Sequence, residues 1–267
     1  MKDFLLELKF RNETLFSFGM VCLVFALIFL AMTRISQTQL YQVNAWYKPF
    51  KFAFSTFLFA WAMAWYCFYL PSFNVQLFNW VVIILLGFEI VYITLKASQG
   101  QPSHYNNGSA FHSLMFSMMA LAATGVTLYT AYIGLLFFTQ DIPNLQPHYL
   151  WGIRLGILIF VIFAFEGFLM GGRMSHTVGL ENDNSNLFIV GWSRKVGDLR
   201  ISHFIGMHAL QLIPLISFYI LKNTKTTVLF GILYVSLTIF TLVQALEGRP
   251  LLPEKNRTKD AHLNIKN

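Results

Sequence analysis

Long apolar runs separated by short polar connections set the pattern of this chain. Seven runs stand out, at 15–32, 52–70, 78–97, 111–138, 150–171, 204–221 and 227–246. Each is close to the ~20 residues that an α-helix needs to cross the hydrocarbon core of a bilayer. The fourth is long enough to tilt or to extend beyond it. Pro71, Pro143 and Pro147 fall in the connections, where a residue without an N–H stops a helix, whereas Pro214 lies inside the sixth run and predicts a kink there. The pattern predicts an all-α polytopic membrane protein, a bundle of seven transmembrane helices forming one domain over residues 1–250. A short charged tail, 251–267, follows it. The segment 33–51, polar and aromatic with Trp46 and Tyr47 beside lysines, predicts a stretch lying along the headgroups.

Composition strengthens this reading. Of 267 residues, 56% are hydrophobic and only 12% charged, against the roughly 25% charged residues of a soluble domain. Cys22 and Cys67 both sit inside apolar runs and read as small buried residues, with no disulfide framework or metal knuckle between them. The net charge of +7 has a topological rather than a nucleic-acid meaning. Seven crossings leave Lys2, Lys9, Arg11, Lys222 and Lys225 on one side. Arg34, Lys48, Lys51, Lys96, Arg173, Arg194, Lys195, Arg200 and the basic residues from Arg249 onward lie on the other. The positive-inside rule places the second side, and the C-terminus, in the cytoplasm. The basic N-terminus opposes that orientation.

Most residues capable of chemistry collect on the same side. Glu89 lies midway along the third run, which leads into Lys96 and then Ser103-His104-Tyr-Asn106. His112 opens the fourth run. Glu166 lies in the inner half of the fifth, which ends in Gly171-Gly-Arg173-Met-Ser-His176. The next connection closes on Asp198, Arg200 and His203, with His208 and Gln211 inside the sixth run. Ionisable groups at bilayer depth cost about 2.5–3.5 kcal/mol on the insertion scale, so each is expected to have a partner or to line a wet cavity. Arg154 and Glu166 are separated by twelve positions, about 18 Å of helix rise, and cannot pair directly. His203 and His208 are five apart, ~140° around a helix, so they do not form the one-face pair that chelates a metal. Lys48 and Lys51 open the second run and suit an anionic headgroup or phosphate.

The stretch Trp46-x-Lys48-Pro49-x-Lys51-Phe52, the Ser103-His104-x-Asn106 loop, and Gly197-Asp198-Leu199-Arg200-x-x-His203-Phe-x-Gly206-x-His208-Ala-Leu-Gln211 resemble motifs of a group of bacterial multi-pass membrane proteins. The resemblance runs from about Asn44 to Pro250 and implies a shared fold in the bacterial inner membrane, without an activity to carry over. A weaker resemblance is to the seven-helix zinc hydrolases of the alkaline ceramidase and progestin-receptor-like superfamily. This chain departs from them in the spacing and position of its histidines.

Three functional expectations follow. The first is a membrane-embedded enzyme acting on a lipid or other apolar substrate at a cytoplasm-facing site. There His104, His203 and His208 would hold zinc or another divalent metal, and Glu89, Asp198, Ser103 and Arg200 would serve catalysis. Lys48, Lys51, Arg173 and Gln211 would bind the ligand. The second is a haem b- or quinone-linked redox protein with histidine ligands. The third is a proton-coupled transporter or receptor built on Glu89 and Glu166.

Overall fold

The computed structural model describes residues 2–41, 43–179, 187 and 189–253, so the expected tail lies, from residue 254 on, outside the described residues. Among the described residues the chain is a bundle of eight α-helices. A short helix α1 (Lys2–Arg11) precedes α2 (Glu13–Ile35), α3 (Tyr47–Cys67), α4 (Val75–Ser98), α5 (Ala110–Thr139) and α6 (Pro147–Arg173). Then come α7 (Arg200–Ile216), continued by a π-helical turn (Ser217–Leu221), and α8 (Thr224–Leu246). Two antiparallel ribbons complete it, β1 (Gln39–Leu40) with β2 (Val43–Asn44), and β3 (Thr177–Val178) with β4 (Gly197–Asp198).

Six helices are long and apolar enough to cross a membrane: α2, α4, α5, α6, α7 with its π turn, and α8. The multi-pass helical character is therefore present, and six of the seven expected crossings meet this requirement of length and composition among the described residues. The run at 52–70 became α3, which spans 21 residues. Its sequence carries Tyr47, Lys48, Lys51, Ser55, Thr56 and several Trp and Tyr residues, and these lower its hydropathy below that of its neighbours. Its surface is covered by protein: Ala53, Ala60, Met63, Ala64 and Cys67 are all buried. The segment 33–51 is not one flat stretch either. It holds the end of α2, the β1–β2 ribbon and the first turn of α3, with Pro49 in that turn, where its missing N–H is harmless.

Local chemistry explains the boundaries. The side chains of Asn12, Asn74, Ser109 and Asn223 accept backbone N–H groups at the starts of α2, α4, α5 and α8, satisfying donors that a helix leaves free. Pro214 leaves the Leu210 carbonyl without its helical donor, and the Tyr66 hydroxyl from α3 donates to that oxygen at 2.8 Å. Three residues after Pro214 the helix passes into its π turn. The tightest packing is between α6 and α7, where a Cβ on Gly206 would stand 2.2 Å from the Phe163 side chain. Only a residue without a side chain lets these backbones approach so closely.

The helices alternate in direction, so connections gather at two ends. One end holds the ribbon β1–β2, the loop between α4 and α5, the long connection between α6 and α7, and the end of α8. We refer to it as the loop-bearing end. The other holds α1 and three short connections.

Candidate functional site

At the loop-bearing end, ionisable residues from four parts of the chain converge. The connection before α7 is fixed first. Both oxygens of the buried Asp198 are occupied: Oδ1 accepts from Arg200 Nε at 2.9 Å and from the Arg200 backbone N–H at 3.1 Å, and Oδ2 from Arg200 Nη2 at 2.6 Å and the Ser193 N–H at 2.9 Å. Arg200 also donates to the Gly191 carbonyl. Gly197 seats this connection on the end of α8, because a Cβ there would lie 1.9 Å from the Ala245 carbonyl oxygen. Burial alone would raise the Asp198 pKa, but the hydrogen bond and charge of Arg200, with the Ser193 amide, outweigh it and hold the carboxyl below its usual 3.8.

The second element is α3. Lys51 Nζ donates to the Val190 carbonyl at 2.9 Å, tying the start of α3 to the same connection. Lys48 stands one turn earlier, its ammonium 6.0 Å from the centre of the Phe52 ring. It makes no hydrogen bond and no ion pair with any described residue, yet it lies within electrostatic reach of Lys51, Arg200 and Glu89. Glu89 comes from α4, buried, and its carboxyl likewise has no hydrogen-bonded or ion-paired partner among the described residues.

The loop between α4 and α5 supplies the third face. Lys96 closes the end of α4 by donating to Gln99 Oε1 (3.1 Å), Gln101 Oε1 (2.8 Å) and His112 Nε2 (3.0 Å), so that its three donors are all used. Beyond it, Ser103 is buried and its hydroxyl lies 3.2 Å from His104 Nδ1. The His104 ring packs against Phe52, Tyr105 and Phe116. Burial, reinforced by the Lys48 charge, pushes its pKa well below the usual 6.5, so the ring is neutral. Tyr105 has φ 55°, a left-handed conformation that bulky residues rarely adopt, and burial raises its hydroxyl pKa to about 12. Its ring stacks on His176 at 6.5 Å. His176, from the fourth part, is lowered to about 4, first by burial and then by Arg200, Lys48 and Lys51, with Asp198 opposing.

The structure therefore joins Lys48, Lys51, Glu89, Ser103, His104, Asp198 and Arg200 in one neighbourhood, and adds Tyr105 and His176. His176 has a sequence signal, because it follows the Gly171-Gly-Arg173 end of α6, but its role emerges only when β3 pairs with β4 and carries it to Asp198.

The other expected site residues fall elsewhere. Arg173 is exposed at the end of α6. His203 Nδ1 donates to the Phe163 carbonyl at 2.7 Å, and His208 Nδ1 lies 3.3 Å from Gln211 Oε1, deeper along α7. The expected metal set of His104, His203 and His208 is not gathered. No group of three or more His, Cys, Asp or Glu side chains among the described residues is arranged to hold a metal ion. The physical reason is that His104 is enclosed by aromatic rings, while His203 and His208 have been drawn to partners on α6 and α7. Glu166 accepts from Ser202 Oγ at 2.5 Å and joins α6 to α7, with its second oxygen sealed in protein. Arg154 donates to the Phe137 carbonyl at 2.8 Å, at the end away from the loops.

Searches against protein-family models, curated proteins and solved structures find no match to this chain, so its function is argued from this geometry.

Proposed function

We propose that this integral membrane protein crosses the bilayer seven times, with α3 as the seventh crossing, and binds the anionic head of a lipid or similar amphiphile at its loop-bearing end. One observation carries the reading. Three cations, Lys48, Lys51 and Arg200, converge from α3 and α7, and among the described residues only Arg200 is neutralised by a bonded carboxylate. Lys51 has a carbonyl, and Lys48 has its three donors free among the described residues. Free ammonium donors at the mouth of an apolar bundle suit a phosphate or carboxylate whose tail stays in lipid. The neutral imidazoles of His104 and His176 add lone pairs without adding charge. The charge distribution favours the cytoplasmic leaflet.

Native mass spectrometry of the detergent-purified full-length protein tests this. Anionic lipid is expected to stay bound, and a K48M/K51M double variant to weaken it by about tenfold or more, the effect of losing charged hydrogen bonds. Unchanged lipid retention in the double variant would sink the proposal. A second reading, a haem-linked redox protein, has one observation in its favour. Because His203 donates through Nδ1 to a carbonyl, its Nε2 is left as a lone pair, which is the tautomer an axial haem ligand requires. Protein purified from haem-replete cells would then show a Soret band that disappears in H203A; its absence in the wild type removes this reading.

A further inference from the structure

We infer that the ligand's head carries, beside its anionic group, a hydrogen-bond-donating ammonium that Glu89 receives, making it a zwitterionic amphiphile rather than a purely anionic one. This inference rests on the anion-site reading above. Asp198 has donors on both oxygens, and Arg200 is taken up by Asp198 and the Gly191 carbonyl. Lys51 has Val190, and Lys96 has two glutamines and a histidine. Ser103 and His104 face each other. Tyr105 and His176 stack on each other without a side-chain hydrogen bond to a described residue, and both are neutral. That leaves an ammonium and a carboxyl, Lys48 and Glu89, each without a hydrogen bond to any described residue.

The position of Glu89 makes this more than a surface accident. The residue is only 6% exposed, and an interior carboxylate without donors is among the costliest groups a protein can bury. Lys48 lies within electrostatic reach but forms no ion pair with it. The Glu89 oxygens also keep access to the space beside them, unlike the second oxygen of Glu166, which is sealed in protein without a partner. A buried carboxyl and a half-buried ammonium that face one neighbourhood without touching define the complement of a group that is negative towards Lys48 and positive towards Glu89. The ammonium must be able to donate, because a carboxylate without N–H neighbours is short of hydrogen bonds as well as of charge. The rings of Phe52 and Phe116, packed on His104, give the apolar side that an acyl-bearing ligand needs.

Delipidated full-length protein, titrated in detergent with chain-matched phosphatidylethanolamine, phosphatidylcholine and phosphatidic acid and read by native mass spectrometry, tests this. Phosphatidylethanolamine is expected to bind about tenfold tighter than the other two, since it alone supplies both the phosphate and a donating ammonium. E89Q is expected to bring it down to the level of phosphatidic acid, and K48M to weaken both. Wild-type protein that binds phosphatidic acid as tightly as phosphatidylethanolamine overturns the inference, as does a preference that survives E89Q. In both cases loss of binding in K48M still upholds the anion site, whereas K48M binding like wild type overturns the site itself. Soluble phosphoethanolamine that displaces the lipid at equal concentration overturns the assignment to an amphiphile. If E89Q does not fold, E89D reads the same ratio, because it keeps the charge but withdraws it by one methylene, and a preference unchanged in E89D overturns the inference.

Discussion

The two ends of the bundle handle buried polarity in opposite ways. At the end carrying α1, polar groups are closed on one another. Asn12 and Asn79 exchange two amide hydrogen bonds, at 2.9 and 3.0 Å, while Asn12 also caps α2. Arg11 bonds Glu7 and lays its guanidinium 3.8 Å from the centre of the Trp65 ring, with Phe68 and Tyr69 beside it. Ser217 links the His148 carbonyl to Thr227, and the buried Arg11 Nη1 and His148 Nε2 are the exceptions without a hydrogen-bond partner among the described residues of this end. The loop-bearing end also closes Asp198 on Arg200 and Lys96 on its three acceptors, but among the described residues of its cluster it leaves Lys48 and Glu89 open. Closed polar pairs join helices to each other, whereas open ones hold binding capacity for something outside the chain.

If that contrast is right, breaking a closed contact should cost stability and removing an open group should not. The largest effect is expected for D198N, which leaves Arg200 without its carboxylate. About 3 kcal/mol should be lost in thermal or denaturant unfolding of the detergent-solubilised protein. The same variant removes an acid-side limb of stability. Because the folded carboxyl sits below 3.8, its contribution is complete above that value and fades as pH falls through the lowered one.

Next comes Y66F, expected to cost about 2 kcal/mol because Pro214 has no N–H to offer the Leu210 carbonyl in place of the phenol. N79A should cost about 1–2 kcal/mol by stranding the Asn12 amide, and a double-mutant cycle with N12A should show positive coupling beyond the lost cap. The smallest loss is expected for E89Q and K48M, neither falling more than about 0.5 kcal/mol below the wild type in the same unfolding assay, with E89Q gaining stability because it removes an unpaired buried charge. A loss of 2 kcal/mol or more from either would make it a structural contact and erase the distinction between the ends.

Much of the fold was legible from the runs alone, because a bilayer core demands helices of a known length and leaves few alternatives. Helix α1 was not legible: KDFLLELKFR is short and charged, and its order depends on Leu8 being buried and on Arg11 meeting the aromatic end of α3. The gathering of reactive residues on one side was legible too, since topology alone puts the loops with Ser103, Asp198 and His176 together. Which of them touch was not. Side-chain type put His104, His203 and His208 into one candidate metal set, but a histidine is placed by its nearest acceptor. His203 meets the Phe163 carbonyl and His208 meets Gln211. Arg173 was drawn in by its position at a helix end and turned out to face outward.

Helix α3 carries a consequence for how the chain is made. On the seven-crossing reading, six segments are apolar enough to enter the bilayer one at a time, and α3, with its lysines and hydroxyls, is not. Its buried surface is matched by α2, where Gly19 admits Trp61 so closely that a Cβ would stand 2.4 Å from the indole. On that reading α3 depends on α2 for a protein surface in exchange for lipid. Gly19→Leu should therefore act during synthesis, producing chains with a misplaced hairpin that no later folding step repairs.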